Sequence, residues 1–597
     1  MSHDDAALTR EQEELLGLWL ADEVPGTQPD AGHHIPPRHA AEAVLAGIWA
    51  EALAVPHVGV TDDYFALGGD SVLAIVIVAR AAEAGLDISA RDLFEARTIA
   101  GLALTEDRLR DVPSSARPAP VAAEPVGGLP LTPLQEGILY HSLASGRHRD
   151  GYLVQAHCLV TGAVDLPLLR SAWETVLARQ PALRTAFRLS GPDGPRRWIA
   201  PTAILPWTEE DWRGRDAQAA LAEHLRRDRA AGFDLERPPL SRVGVFREAE
   251  DRHRMVWTHH HLVLDGWSQQ IVLRDVLEHY AGLVAGTLQD SATPLVQAAP
   301  APETPLTPVP AAEEEDHWRG LLAGARPTLL VPERDETEEP QDQGRAVATD
   351  VWPADLVTAL EAFAAGTGVT VATVVTACWG MVAAARTGAD EALFGLTVSG
   401  RDPALPGAGE RVGMFVNTLL TRVTDEGATA GEWLRALQSR LAESRRFSGT
   451  ALSRVLRRSG YDRLFDSLLV VENFPTWLVP GTRVAGLVVD HVDVVVDEGY
   501  PLVVEVATHK GLVVRLRHDA TKVSAAQADE IVGDLRACAQ LLVTGAAPAP
   551  ARVRAALADR FAAARDRAVL ARRAKARDLL GAARRRPADH DAREGGT

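Results

Sequence analysis

Two proline-rich breaks divide this chain of 597 residues into pieces of different character. Arg110 to Gly128 is rich in Pro, Ala and Ser, and Thr293 to Pro310 is largely Pro and Ala. Such segments bury little and read as linkers, so the folding units must lie between them. A chain of this length is also too long for a single core. Before the first break, from Arg38, Ala41, Val44, Leu45, Ile48 and Leu53 recur at helical spacing beside Trp49. An apolar helical run through Val72, Ile75, Val76 and Val78 follows, with two short segments near Leu93 and Ile99 and no clear strand. A small all-α four-helix bundle is predicted there. Beyond it, helices and strands mix. Leu153–Val160 and Met255–Leu264 read as strands, Pro167–Arg179 and Ala217–Ala231 as helices. After the second break come β-branched runs at Leu468–Val471, Val494–Val496 and Leu512–Leu516, an α/β region in two comparable halves.

Composition bears on partners and surroundings. A formal charge of −19 argues against nucleic acid as a main partner, because phosphate binding needs a basic face. The three cysteines, Cys158, Cys378 and Cys538, are far apart without metal-type spacing, which fits a reducing cytoplasm and no metal site. Met1 to Asp5 is polar and acidic, unlike a secretory signal. Ala362 to Ala385 is free of charge and long enough to span a bilayer. It nevertheless holds Gly366, Gly368, Gly380 and four threonines, and reads as a buried core helix rather than a membrane span. From Ala551 the tail carries thirteen Lys and Arg against six Asp and Glu in an alanine-rich setting. A partner-docking helix and a solvated helix folded onto its own domain remain equal readings of it.

Two motifs carry chemistry. Gly68-Gly69-Asp70-Ser71 opens a helical run, where unpaired N–H groups and the helix dipole favour an anion such as a phosphodiester on Ser71. On these four residues alone, a helix N-cap is the commoner job for Ser71, and only the wider context reverses that preference. The second motif is Thr258-His259-His260-His261-Leu262-Val263-Leu264-Asp265-Gly266-Trp267-Ser268. On a strand, His259 and His261 would share one face and His260 the other. Gly266 lets the chain turn, and Asp265 is placed to meet a cation. An imidazole titrates near working pH, so it can accept a proton or a hydrogen bond from an attacking amine. Metal binding is the weaker alternative, since only two of the imidazoles converge and no further His/Cys pair is nearby.

The surrounding residues carry a family resemblance. Asp62 to Ser71, with Ile48-Trp49, Asp92-Leu93-Phe94 and Thr98-Ile99-Ala100, resembles the peptidyl carrier proteins of nonribosomal peptide synthetases over about residues 37–107. The resemblance implies that Ser71 carries 4′-phosphopantetheine, added by a phosphopantetheinyl transferase. His260 to Gly266 matches the HHxxxDG motif of condensation domains. Leu131 to Gly137, Arg179 to Phe187 (departing at Gln180 and Pro181), Val412 to Thr418, and Leu464 to Pro475 resemble further motifs of that family, over about 128–545. That family has two lobes resembling chloramphenicol acetyltransferase, with a tunnel between them. Carried over, His261 is the catalytic histidine, with His260 and Gly266 beside it. Asp265 is structural and held by an arginine, with Arg184 as the candidate partner, and Asn417, Trp267 and Ser268 support the tunnel.

The expected division is therefore 1–36 as an extension with a candidate docking helix at Thr9–Asp22, 37–107 as the carrier and 108–127 as a linker. Residues 128–295 form an N-lobe, 296–312 an interlobe linker, 313–547 a C-lobe and 548–597 a basic helical tail. The intact histidines set the chain apart from heterocyclization and oxygenase-recruiting relatives, and Trp267-Ser268-Gln269-Gln270 sets it apart from epimerization domains. Gln135-Glu136-Gly137 and Leu464–Pro475 look more like domains accepting a D-configured donor; Asp70 also resembles carriers that work with epimerases, and stereochemistry stays open. The implied function is transfer of an acyl group from Ser71 to an external amine in natural-product biosynthesis. Implied partners are an adenylation enzyme acting in trans, an acceptor carrier or free amine, and other synthetase subunits. A cargo-presenting carrier with an inactive condensation domain, and ester formation with a hydroxyl acceptor, remain open at this point.

Overall fold

Ala41, Leu45 and Trp49 line one face of α1 (Ala40–Ala52) and are fully buried, so the helical spacing of the sequence becomes the carrier core. Trp49 meets the Tyr64 ring edge-on at 5.1 Å, and Val60, Ile77, Leu86, Leu93 and Ile99 close around them. This computed structural model describes parts of residues 35–102 and, short stretches aside, residues 128–584. Ser71, the Thr9–Asp22 helix, most of Thr293–Pro310 and the last residues lie outside the described residues.

In the N-lobe, α2 (Pro133–Ser145) precedes β1 (Leu153–Thr161), α3 (Leu166–Arg179), the β2–β3 hairpin (Thr185–Arg188, Arg196–Ile199) and β4 (Trp207–Asp211). Then come α4 (Ala217–Ala231), β5 (Ser241–Ala249), β6 (Arg252–His260) and α5 (Gly266–Val284). Asp165 starts α3 by accepting from Leu168 N at 3.1 Å, and Asp216 caps α4 in the same way through Gln218 N. Strand alternation sends Met255 and Trp257 of β6 into the core shared with α3 and α5, where Trp173 lies 5.0 Å from Trp257. Val256 faces the other way, onto Trp212 and Phe246, which stack at 4.1 Å.

The later half of the chain runs α6 (Ala311–Leu322), β7 (Arg345–Val351), α7 (Ala354–Thr367), α8 (Val371–Thr387), β8 (Glu391–Val398), β9 (Asn417–Thr424), α9 (Ala430–Arg445) and α10 (Leu452–Ser459). It continues with β10 (Ser467–Glu472), β11 (Thr482–Val484), β12 (Leu487–Val495), β13 (Leu502–Ala507), β14 (Val513–Asp519), α11 (Ala525–Val543) and α12 (Pro550–Arg584). The C-lobe sheet takes six of these strands, ordered β7-β14-β13-β10-β8-β9. The charge-free stretch of the sequence is split at left-handed Gly368 into α7 and α8, bent by 104°. Thirteen residues of α8 are buried in the C-lobe core, as a core helix requires. Among the described residues no single helix is long and apolar enough to cross a membrane. The first half of the basic tail packs on this lobe through Val553 and Leu557, with Arg554 on Asp425 and Arg560 on Asp534.

The two lobes do not separate at residues 296–312 as the sequence suggests. Strands β11 and β12 fall in the later half of the chain but join the N-lobe sheet, ordered β11-β12-β1-β6-β5-β4. Leu487 and Val489 of β12 complete the N-lobe core. A second crossing, between β8 and β9, sends Val412 and Met414 into that same core. Helix α6 also begins at Ala311, inside the expected linker.

Candidate active site

Strand β6 ends at His260, one residue before the motif turns. His261 N donates to Tyr152 O at 2.8 Å, and Val263 N folds back onto His260 O at 3.2 Å, so Leu262 to Leu264 form a buried turn rather than the predicted end of the strand. Gln135 of α2 fastens this turn, its Nε2 donating to Leu262 O at 2.8 Å.

The three imidazoles have separate surroundings. His259 is 1% exposed and faces Trp257 and Gln269; burial first, and then His261, lowers its pKa to about 3. His260 is fully buried, its Nδ1 accepting from Leu262 N at 3.1 Å and its ring edge toward Phe233 at 6.5 Å. His261 alone keeps partial exposure. Its Nδ1 lies 2.9 Å from Leu264 O. A carbonyl oxygen can only accept, so Nδ1 carries the proton and Nε2 the free lone pair. Burial holds the His261 pKa below its ordinary value, against the opposing pull of a backbone hydrogen bond and of Asp265, and the neutral form prevails near pH 7.

Asp265 ends the turn and starts α5, accepting from Ser268 N at 2.7 Å. Its cationic partner is Arg401, 3.2 Å away, with both side chains wholly buried. Arg184, the partner expected from sequence, instead donates to the carbonyls of Ala200 and Pro201, 16 and 17 residues along its own segment. Arg184 belongs to the turn Pro181–Arg184 leading into β2, and its reach is taken up there. Arg401 also donates to the carbonyls of Ala408 and Arg411 and to Ser268 Oγ, each at 2.8 Å. Its guanidinium is sandwiched between Trp267 and Phe415, at 4.9 and 4.4 Å from the ring centroids.

The same segment grips the motif at further points. Phe415 N donates to Asp265 Oδ2 at 3.0 Å, Asp265 N to Gly413 O at 3.1 Å, and Trp267 Nε1 to Gly409 O at 2.9 Å. Ser268 Oγ donates to Gly413 O at 2.8 Å and accepts from Gly413 N at 3.0 Å. Arg401 and residues 408–415 thus lock the N-lobe turn to the C-lobe crossing. Gly400 is essential to that path: its φ is +59°, and a Cβ there would stand 1.8 Å from Phe415 O. Asn417 lies at the end of the crossing, its Nδ2 donating to Ser448 O at 2.5 Å and Thr450 O at 3.3 Å, so its amide holds backbone. Sequence reading missed Arg401, Gln135 and Gly400. Gln135 sits in a motif already singled out, whereas Arg401 and Gly400 precede the next motif without a local signal of their own.

Gly266 is exposed between buried Asp265 and Trp267, and forms the first turn of α5. This leaves bare backbone exposed at a helix N-terminus, five residues beyond His261.

Comparison with known proteins agrees with this geometry. Residues 127–496 match the family described as Condensation domain, and residues 43–105 that described as Phosphopantetheine attachment site. AMB antimetabolite synthetase AmbE of Pseudomonas aeruginosa is 32% identical over 87% of this chain and 25% of its own length. Chondramide synthase cmdD of Chondromyces crocatus is 30% identical over 66% of this chain and 11% of its own. The chain thus spans a quarter or less of these curated relatives. The first condensation domain of the calcium-dependent antibiotic synthetase, solved with a substrate analogue, aligns with a TM-score of 0.56 at 19% identity, over 71% of this chain and 98% of that one. SgcC5 of Streptomyces globisporus aligns at 0.54 with 18% identity, over 70% and 100%. At these identities the solved structures establish the two-lobed fold. The chain belongs to the condensation-domain family of nonribosomal peptide synthetases, with a phosphopantetheine-attachment module ahead of the condensation domain.

Proposed function

We propose that this protein joins an acyl group tethered on its own carrier to an external amine, His261 being the group that receives the nucleophile. The observation that carries this reading is the partly accessible His261, held through Nδ1 with Nε2 free, at the head of a turn that runs to the exposed backbone of Gly266. Ser71 would hold 4′-phosphopantetheine, whose thiol supplies the acyl thioester. Attack by the amine nitrogen forms the C–N bond, the C–S bond breaks, and the sulfur leaves with the electron pair. The amine must shed a proton, which ends on the released thiol. His261 Nε2 accepts that N–H, orienting the lone pair toward the carbonyl, and proximity accounts for a large part of the rate. His260 and Asp265 shape the turn that presents His261, and Trp267, Ser268 and Asn417 hold the walls.

The implied partners are a phosphopantetheinyl transferase, an adenylation enzyme in trans, an acceptor carrier or free amine, and other synthetase subunits. A transferase and a set of acyl-coenzyme A thioesters can load Ser71 directly. Amines are then added and the amide is followed by mass spectrometry. Amide formed faster than from a small-molecule thioester, and absent in Ser71→Ala, supports the reading. Loaded protein that yields no amide above that background with any acyl–amine pair contradicts it.

A further inference from the structure

On the face of the C-lobe sheet that carries Val470 and Val503, a charged cluster lies outside the HHxxxDG turn. Val470 of β10 pairs with Glu505 of β13, which pairs with Arg515 of β14, so these side chains and Glu472 and Arg517, two residues along their strands, share one face. The opposite face, with Leu469, Val504 and Leu516, is the helix-packed core. Arg517 Nε lies 2.7 Å from Glu505 Oε1, and its Nη atoms reach Val494 O at 3.3 Å and Val496 O at 3.5 Å, beside the N-lobe sheet. The cluster therefore sits where the two sheets meet.

The chain leading into β13 also touches a residue that holds the reaction turn. Between β12 and β13 the backbone passes Gly499, where a Cβ would stand 3.1 Å from Tyr152 Oη, and Tyr152 O is the acceptor for His261 N.

The cluster has acceptors to spare. Glu505 is 5% exposed, yet its Oε2 has no hydrogen-bond partner. Glu472 is partly accessible, and burial first, then the Glu505 charge, pushes its pKa up to about 7 against the fields of Arg515 and Arg517. Arg517 is engaged by Glu505 Oε1 and the β12 end. A buried carboxylate oxygen without a donor is costly, and an ammonium supplies the donor.

We propose that Glu472 and Glu505 form a subsite for an ammonium group carried by a substrate in addition to its reacting centre, as in a diamine or a basic amino acid. This rests on the reading of the protein as a condensing enzyme and names a substrate class for it. The ammonium belongs to the acceptor or to the acyl donor, and separate experiments distinguish the two.

The full chain carrying His261→Ala is titrated calorimetrically with 1,5-diaminopentane, with 1-pentanol as the neutral control. Saturable binding of the diamine alone, weakened about 10-fold or more by Glu472→Gln and by Glu505→Gln, supports the subsite even if no amide is ever formed. No saturable binding, or equal binding by both variants, overturns it, the spare oxygens then being satisfied by water. Glu472→Gln lies at the accessible edge and serves if Glu505→Gln fails to fold. With the His261-containing protein, a cationic acceptor meeting a neutral acyl group on Ser71 is compared with the reverse pairing. The Glu variants lower kcat/KM by about 10-fold in the pairing whose charged partner uses the subsite, and leave neutral pairs unchanged. If neither charged pairing responds, the assignment fails.

Discussion

Arg401 Nη2 lies 3.2 Å from Asp265 Oδ1, in a contact that joins residues 136 positions apart and shields both side chains from solvent. Asp265 is spent on Arg401, Ser268 N and Phe415 N, so its part is to fix the turn that presents His261.

Removing both partners should cost well short of the sum of removing each alone. Arg401→Ala strands a buried carboxylate and three carbonyl or hydroxyl acceptors, at a cost of about 3–5 kcal/mol. Asp265→Ala strands the guanidinium. Urea unfolding of the single variants and the double variant should give a strongly non-additive cycle. Additive losses would mean that the pair is not coupled.

His259 makes an acid-stability prediction. Its pKa is about 3 in the folded chain against an unfolded value near 6.5. Above the unfolded value both states are neutral and the residue gives no pH dependence. As pH falls below it, the unfolded chain takes up a proton that the folded chain refuses, and stability declines by about 1.4 kcal/mol per unit until the folded pKa is reached. His259→Gln should flatten the stability–pH slope between pH 6 and 4 by one proton. An unchanged slope would place His259 in a different environment.

The rate should follow the neutral form of His261. Because its pKa is held below the ordinary histidine value, the rate per unit of free amine should be level above pH 7 and fall only in acid. Single-turnover rates, corrected for acceptor protonation, test this. A rate still climbing between pH 7 and 9 would require a different titrating group.

Much of this was legible in the sequence, and the failures share one cause. Ala217–Ala231 matches a helix to the residue, and Leu153–Val160 a strand to within one. Leu262 to Leu264 read as strand because residues buried in a turn are as apolar as residues buried in a sheet. Val494 to Val496 read as a strand of the later half, but a β-branched run does not say which sheet it joins. Arg401 is one of 62 Lys and Arg, and only the crossing between β8 and β9 brings it to Asp265. Arg184 lies nearer to Asp265 in sequence, within one of the family motifs. Long-range pairing is a property of topology, which local pattern does not encode.

Gly400 tests that crossing separately. Gly400→Ala forces a Cβ against Phe415 O in a left-handed conformation, so the segment must shift and pull Phe415 N from Asp265. A stability loss of about 2 kcal/mol or more is expected, with amide formation lost and carrier loading retained. A variant with wild-type stability and activity would show that the segment is free to move.

The most direct test of the central claim follows the acyl mass on Ser71 by intact-protein mass spectrometry after loading, in a single turnover with excess amine. His261→Ala should load as the wild type does and keep its acyl group, with discharge slowed by about 10²–10⁴-fold. Discharge to amide at the wild-type rate in that variant would contradict the account.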